Sequence, residues 1–214
     1  MTTLCRKLML SVYMLLGLSG CLGSLVSTSS PPRYFQISYS YKPEKCIGKI
    51  GGTLKIWPFS ASAPYDRDEM IVLDSFRQVH FSPLYRWVSF PGNMISDMLL
   101  RDMSRSTLFN QVVTAGNSAE TGLEMGGHVY EFAWRQEAGS GHAVLDVEIS
   151  LWKNGPKRTI VFRRNYRFKG KSSLKSDSET FAKEMSGLLE MLSNELYRDI
   201  CAAFTKDSSS PVDD

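Results

Sequence analysis

The stretch that decides the fold runs from Val129 to Phe168 and reads VYEFAWR, QEAGSG, HAVLDVEISLW, KNGPKR and TIVFRRNYRF in order. Its first, third and fifth pieces alternate apolar with polar residues, which is the period of half-buried strands. Gly139-Ser140-Gly141 lies in the first connection, and Asn154-Gly155, a strong hairpin signal, lies in the second. The pattern predicts an antiparallel meander of three strands, Val129–Arg135, His142–Trp152 and Thr159–Phe168.

Two helices are predicted to cover one face of this sheet. Pro91 suits the first turn of the earlier helix, which should end near Ser104–Ser106. Its apolar stripe consists of Met94, Ile95, Met98, Leu99 and Met103. The later helix starts at a capping box, Ser176-x-x-Glu179. Its stripe extends over about five turns and consists of Phe181, Met185, Leu188, Leu189, Leu192, Leu196 and Ile200.

Shorter strands are predicted upstream of the meander. Apolar residues alternate with polar ones after Tyr34, and the proline of Trp57-Pro58-Phe59 marks a strand end or an edge. The predicted strands are Phe35–Tyr41, Leu54–Phe59, Met70–Val79, Val79–Trp87 and Leu108–Val113, with a polar loop at Ser60–Glu69. The expected fold is α/β (α+β), a two-layer sandwich in which a mostly antiparallel sheet carries two helices on one face.

The amino terminus has the form of an export signal. Arg6 and Lys7 precede an apolar run from Leu8 to Leu18, which is shorter than the roughly 20 apolar residues that span a bilayer. Leu18-Ser19-Gly20-Cys21 resembles the bacterial lipobox, in which a peptidase cleaves before a cysteine that carries a diacylglycerol thioether. We therefore expect Cys21 to be the acylated first residue of the mature chain. The alternative is a signal for soluble secretion with an incidental cysteine.

This anchor predicts how the chain is organised. Residues 1–20 are the lipoprotein signal peptide, 21–32 the lipidated cysteine and a Ser-rich flexible leash, 33–205 the folded domain, and 206–214 a disordered tail. Diacylglycerol and an N-acyl chain on Cys21 are the expected attached groups, with no cofactor. Two or three acyl chains on one residue hold stably, whereas one holds reversibly. Leu22, where aspartate would retain the chain at the inner membrane, favours the periplasmic side of the outer membrane.

Two cysteines remain once Cys5 leaves with the signal and Cys21 is acylated. Cys46 and Cys201 would then lie in an oxidising compartment. A bond between them would close a loop of about 154 residues and stabilise the fold by roughly 4 to 5 kcal/mol on the chain-entropy model. Two separate buried thiols are the alternative, and both interpretations remain open at the level of sequence.

Composition excludes two classes of protein. The 214 residues carry a net charge of +3, and removal of Arg6 and Lys7 with the signal leaves 23 basic against 22 acidic side chains. A nucleic-acid binder would concentrate positive charge on one face, so this balance argues against nucleic acid as a partner. The mean hydropathy of −0.19 argues against a polytopic membrane protein.

The sequence offers few groups for catalysis. It lacks G-x-S-x-G, and Gly139-Ser140-Gly141 belongs to a predicted hairpin turn. His80, His128 and His142 lie on or beside predicted strands and lack the spacing of metal ligands. Asp66-Arg67-Asp68-Glu69 resembles a solvated turn, because a cation loop would add a glycine and a distal acid. We predict no metal site, no nucleophile and base pair, and no enzymatic activity.

The last predicted hairpin is strongly basic. Its cationic residues are Lys153, Lys157, Arg158, Arg163, Arg164, Arg167, Lys169 and Lys171. A solvated strand face is the simpler interpretation of this charge. Attraction to lipid headgroups is the alternative.

Several segments, taken in order, resemble the ABC-type transport auxiliary lipoprotein family, of which paraquat-inducible protein C is the best-known type. The segments are Arg33-Tyr34-Phe35-Gln36-Ile37, Leu54-Lys55-Ile56-Trp57-Pro58-Phe59, Pro64-Tyr65-Asp66-Arg67, Met70-Ile71-Val72, Tyr85-Arg86-Trp87-Val88 and Leu108-Phe109-Asn110-Gln111-Val112. The resemblance covers roughly residues 33 to 204 and includes the lipobox. Its most specific parts are the Pro-Tyr-Asp-Arg stretch and the Tyr-x-Trp segment before the first helix.

The resemblance implies a function without catalysis. Members of the family are similar to outer-membrane-anchored periplasmic proteins that assist an ABC permease, its ATPase and an MCE-domain protein in moving lipids between the two membranes. Pro64, Tyr65, Asp66, Arg67 and Trp87 are the expected partner-docking residues, although Trp87 also suits the core. Homo-oligomerisation is left open.

Two other functions compete with this one. A structural or regulatory lipoprotein of cell-wall or outer-membrane assembly could use a comparable domain on a longer leash. A lipid-modified hydrolase is disfavoured, because no nucleophile and base pair is recognised in the sequence.

Overall fold

The predicted meander forms one side of a nine-stranded sheet in the computed structural model, which describes residues 30–42, 46, 48–174 and 177–207. All its strands and helices belong to one of the two units into which the chain divides, residues 32–214. The strands are β1 (Arg33–Phe35), β2 (Thr53–Ile56), β3 (Ser60–Ala61), β4 (Glu69–Leu73), β5 (Val79–Trp87), β6 (Gln111–Thr114), β7 (Leu123–Glu137), β8 (Ser140–Lys153) and β9 (Thr159–Lys169). The helices are a 3-10 helix (Ala63–Tyr65), α1 (Pro91–Arg105) and α2 (Ser178–Asp207).

The meander is antiparallel throughout, as predicted. β7 pairs with β8 from Leu123 opposite Lys153 to Glu137 opposite Ser140. β8 then pairs with β9 from Val144 opposite Lys169 to Lys153 opposite Thr159. The β7–β8 turn contains Gly139 at a φ of 79°, a left-handed conformation that favours glycine. These two ladders are the longest in the sheet.

The opposite edge of β7 is built differently. β2, β3 and β4 pair with it in succession, and all three pairs are parallel. β6 pairs with β2, while β5 and then β1 continue the sheet beyond β4. The sheet is therefore mixed. Parallel neighbours require long crossovers, and the chain between β4 and β7 supplies one that contains α1.

Both helices cover one face of the sheet and bury their predicted stripes. Met94, Ile95, Leu99 and Met103 of α1 are buried, as is every predicted stripe residue of α2. They pack against the inward residues of the meander, including Val147, Ile149 and Leu151. The predicted α+β fold with two helices on one face is confirmed. Gly92 lets α1 begin close to the strands, since a side chain there would collide with the backbone carbonyl of Phe59.

The predicted strand Phe35–Tyr41 is wrong beyond its first residue. β1 ends at Phe35, although Ile37 and Tyr41 are buried as the alternation requires. The segment instead bonds to the helices: the Ser38 amide donates to Ser186 Oγ at 3.1 Å, and the Tyr39 hydroxyl donates to Asp102 at 2.6 Å. Period two therefore marks burial here without a strand ladder.

Further boundaries differ from the prediction. The strand predicted at Met70–Val79 ends at Leu73, before a turn, and the one predicted at Leu54–Phe59 ends at Ile56. The predicted loop Ser60–Glu69 contains β3 and the 3-10 helix. The strand predicted at Leu108 begins at Gln111, because the carbonyl of Leu108 accepts hydrogen bonds from the amides of Ile50 and Gly51.

The ends of α2 also differ. The predicted cap Ser176 lies outside the described residues, and the Asp177 carboxylate accepts a hydrogen bond from the Thr180 amide at 2.7 Å. The helix continues through Asp207, two residues past the predicted end of the domain. Residues 208–214 and the amino-terminal segment with Cys21 lie outside the described residues.

Candidate functional site

The loop predicted to dock a partner presents only part of its sequence to solvent. Pro64 and Asp66 are exposed, whereas Tyr65 is buried. The amide of Tyr65 donates to the Ser62 carbonyl at 2.7 Å and closes the 3-10 turn. Burial, together with the nearby Glu131 charge, raises the pKa of the Tyr65 phenol. Tyr65 therefore holds the loop in place, and Pro64 and Asp66 form its accessible surface.

Arg67, the last of the predicted docking residues in this loop, packs its side chain against the neighbouring β4–β5 hairpin. Its guanidinium lies 4.2 Å from the centroid of the Phe81 ring on β5. Within the described part of the chain, its buried Nε has no hydrogen-bond partner. Arg67 thus connects the loop to the outer side of the β4–β5 hairpin.

Trp87, also predicted as a docking residue, lies in the core. Its side chain is 1% exposed. It makes edge-to-face contacts with Phe132 at 5.3 Å and Phe181 at 5.1 Å. These contacts join β5 and β7 to α2. The docking assignment of Trp87 is therefore corrected to a structural one.

The acidic turn next to the loop is occupied by ion pairs. Arg86 bonds Asp68 at 2.9 Å and lies 3.5 Å from Glu69. Among the described residues, no group of three or more His, Cys, Asp or Glu is arranged to hold a metal ion. The turn fixes the end of β5 against the start of β4.

The fold does bring together a serine and histidine arrangement that sequence reasoning missed. His128 on β7 lies between two hydroxyls of the β3 segment: Ser60 Oγ is 2.8 Å from Nδ1, and Ser62 Oγ is 3.1 Å from Nε2. β3 places them there by pairing in register, Ser60 opposite His128. Both imidazole nitrogens face hydroxyls, so within the described part of the chain no carboxylate orients the ring as in a catalytic triad.

A buried polar cluster ties both helices to the segment after β1. The Asp102 carboxylate on α1 accepts hydrogen bonds from the hydroxyls of Tyr39 and Ser193 and from Arg101 Nε at 2.7 Å. The Arg101 guanidinium also stacks on the Tyr39 ring, 4.5 Å from its centroid. Burial and the Asp102 hydrogen bond raise the pKa of Tyr39 well above its ordinary value, so the phenol remains a donor. The arrangement is structural.

The basic hairpin is largely neutralised by neighbouring acids. The partners are Glu124 for Arg158 at 2.7 Å, Glu148 for Arg163 at 3.7 Å, Asp199 for Arg164 at 2.5 Å, and both Glu131 and Asp146 for Arg167 at 3.7 Å. Glu131 is also bound by Arg135 through two nitrogens. These pairs surround β9 with opposite charges, and the Arg164 pair reaches Asp199 on α2.

A disulfide joins Cys46 to Cys201, with their Cα atoms 6.2 Å apart. The bond closes a separation of 155 residues. It fastens the chain before β2 to the carboxyl-terminal part of α2. The structure therefore contains the bonded form of the two alternatives that the sequence left open.

The β4–β5 hairpin carries several of the exposed apolar side chains of the described residues. Its turn and outer side expose large apolar residues, Phe76, Val79, Phe81 and Leu84. Its inner side lines a cavity of about 360 Å³ between the strands and the start of α2. The aromatic residues of that cavity are Tyr85, Trp134 and Phe181. Nothing in the period-two pattern of β5 predicted that its outer residues would stay uncovered.

The family model for the ABC-type transport auxiliary lipoprotein component matches residues 41–196. This chain belongs to that family. It is thus an auxiliary component of ABC-type transport and a lipoprotein of the cell envelope. Across the described residues, neither helix combines the length and the apolar character that crossing a membrane requires.

Solved structures support the fold. A protein of Xanthomonas campestris described under family model DUF330 superposes with a TM-score of 0.71 at 15% identity, covering 83% of this chain and 100% of its own. An uncharacterized protein gives a TM-score of 0.61 at 14% identity, over 79% of this chain and 99% of its own. No curated protein matched the sequence. At these identities the likeness concerns the fold alone.

Proposed function

We propose that this chain is a non-enzymatic accessory of an ABC/MCE-type system that moves lipid between the inner and outer membranes. Acyl chains on Cys21 hold it to the periplasmic side of the outer membrane, and the folded domain contacts the MCE-domain protein that works with the permease and ATPase. The observation that carries the proposal is the family match over residues 41–196 behind a lipobox at Leu18–Cys21.

The organisation of the domain agrees with an accessory role. The helices bury their apolar side chains against the sheet, and ion pairs such as Arg158–Glu124 and Arg167–Asp146 lie at the surface. The accessible part of the predicted docking loop, Pro64 and Asp66, lies on the connection between β3 and β4. We assign partner docking to this loop, with Tyr65 as the residue that shapes it.

Copurification tests the proposal. The acylated protein is extracted from membranes in mild detergent, and antibodies detect the MCE protein and the ATPase in the eluate. Asp66→Lys should lower the recovered MCE protein, because it reverses the charge of an exposed docking residue. Glu120→Lys is the matched control, since Glu120 is exposed on the connection between β6 and β7.

The alternative, a lipoprotein of cell-envelope assembly, predicts a different eluate. Recovery of a penicillin-binding protein without any MCE protein would reject the transport proposal. Equal loss of the MCE protein in Asp66→Lys and Glu120→Lys would reject the docking loop while leaving the transport role intact.

A further inference from the structure

The β4–β5 hairpin holds four large apolar side chains in solvent. Phe76 in the turn is 83% exposed, and Val79, Phe81 and Leu84 follow along β5 with at least 36% of each exposed. Val79 and Phe81 lie opposite Leu73 and Ile71 on β4, so these two exposed side chains share one face of the hairpin. We call Phe76, Val79, Phe81 and Leu84 the apolar stripe. Exposed apolar side chains gathered on one hairpin are typical of an interaction surface.

The turn is built to hold Phe76 outward. The Asp74 carboxylate accepts hydrogen bonds from the amides of Phe76 at 2.9 Å and Gln78 at 2.8 Å. The Asp74 carbonyl accepts a third hydrogen bond from the Arg77 amide. The Asp74 amide donates a fourth to the Gln78 carbonyl. Arg77 adopts a φ of 63° to complete the turn. The aromatic ring therefore projects from a turn fixed by four hydrogen bonds.

The topology places this turn at the end of the sheet where β1 begins. β1 runs parallel to β5, with Arg33 opposite Tyr85. The first residue of β1 therefore lies at the end of the β1–β5 pair that is nearer to Val79 and the turn. From Tyr85 to Val79 the strand spans roughly 20 Å. Residues 22–32 can extend up to about 36 Å, which allows the turn to reach the surface that holds the anchor.

The charges of the turn suit a phospholipid surface. Asp74 is occupied by the turn amides and by His80 at 3.1 Å, and Glu69 lies beside Arg86. Arg77 is exposed next to Phe76. An aromatic ring beside a cation matches the boundary between acyl chains and phosphates.

We propose that the apolar stripe is a second membrane contact, in which Phe76 inserts into the headgroup region of the bilayer that carries the anchor. The inference rests on the proposed Cys21 anchor, which supplies that bilayer. The contact turns a tethered domain into an oriented one. It directs the hairpin toward the lipid and the opposite end of the domain toward the periplasm.

A tethered fluorescence experiment tests the contact independently of acylation. Residues 22–214, which contain the whole compact unit, carry an amino-terminal hexahistidine that binds nickel-chelating lipid in phosphatidylethanolamine and phosphatidylglycerol vesicles. Ser75→Cys, in the exposed turn, is labelled with the environment-sensitive dye NBD. Met191→Cys is the control site, because Met191 is 47% exposed on α2. The disulfide leaves no other thiol free for labelling.

The contact predicts a blue shift and shielding from iodide at position 75, with neither change at position 191. Phe76→Ser should abolish both effects. For the untethered chain, burial of a Phe ring corresponds to about a tenfold or larger loss of vesicle partitioning on this substitution. Unfolding curves identical to wild type would show that Phe76→Ser still folds.

Equal iodide quenching at positions 75 and 191 would overturn the proposal. Shielding at position 75 that requires added MCE protein would also overturn it and assign the stripe to protein docking. Because nickel lipid replaces the acyl chains, either result leaves the Cys21 anchor intact. Conversely, a chain without acylation at Cys21 would refute the anchor without changing the vesicle result.

Discussion

The buried core and the β4–β5 hairpin place the same kinds of side chain in opposite environments, one buried and one exposed. Phe132 and Phe181 each lie against Trp87 and are almost fully buried. Phe76 and Phe81 lie on a hairpin of the same sheet and remain exposed. Apolar area that a fold buries stabilises it. Apolar area that a fixed turn holds in solvent contributes little to stability and is available for binding.

The largest expected effect on stability comes from the disulfide in the core region. Replacing both Cys46 and Cys201 with Ala should lower the free energy of unfolding by about 5 kcal/mol, because a loop of this length gains much entropy in the unfolded chain. Urea unfolding of wild type and double variant measures the difference. Equal midpoints for the two proteins would show that the bond is absent in solution or adds nothing.

The buried Asp102 cluster gives the next effect. Asp102→Ala should lower the free energy of unfolding by about 3 to 5 kcal/mol, since it leaves Arg101 charged and unpaired and removes the acceptor of Tyr39 and Ser193. Asp97→Ala on the same helix is the control, because Asp97 is exposed. We expect the control to stay within about 0.5 kcal/mol of wild type. A similar loss in both variants would contradict this account of the cluster.

A smaller effect depends on pH. His142 on β8 is buried, and this burial, assisted by the Lys169 charge, lowers its pKa below the ordinary value. The folded protein therefore binds that proton less readily than the unfolded chain. Stability from this source is present above the unfolded pKa of about 6.5 and is lost as pH falls below it.

Urea unfolding at pH 7.5 and pH 5.5 measures the effect of His142. The stability lost between these two pH values should be smaller in His142→Gln than in wild type, because the substituted side chain takes up no proton. An equal loss in both proteins would assign the acid sensitivity to other groups.

The smallest expected change in stability is on the hairpin. Phe76→Ala should alter the free energy of unfolding by less than about 0.5 kcal/mol, because its ring is already in solvent. Phe132→Ala is the matched change in the core and should cost about 3 to 5 kcal/mol. Thermal unfolding of the two variants side by side measures the contrast. A large loss for Phe76→Ala would mean that the ring is packed, and the hairpin would then resemble the core.

The meander and the helices could be predicted from sequence because their signals are local. Alternation along β7, β8 and β9 and the helical stripe of α2 each repeat over many residues. The parallel pairing of β2, β3 and β4 with β7 could not be predicted, because the paired strands are remote in the chain. β3 is also only two residues long, which is too short to show an alternating pattern. The alternation after Phe35 predicted a strand that does not form. The alternation there reflects which side chains are buried, whereas the backbone bonds to residues that are distant in the sequence, such as Ser186.

The candidate sites divide in the same way. Cys46 and Cys201 were recognisable as the two cysteines of the folded domain, but their proximity depends on the folded position of α2. Trp87 lies in a distinctive segment, yet distinctive sequence reflects core packing there as readily as docking. His128 between Ser60 and Ser62 required the register of β3 on β7. Phe76 was missed because exposure of an apolar residue is a property of the tertiary fold.

Intact-mass spectrometry of the protein extracted from membranes tests the central claim most directly. The claim is that acyl chains at Cys21 carry a folded domain that has no catalytic role of its own. The account predicts a chain that begins at Cys21 and is heavier than its amino acids by a diacylglycerol and an N-linked acyl chain. A chain that begins at another residue, or one that starts at Cys21 with no added lipid mass, would contradict it.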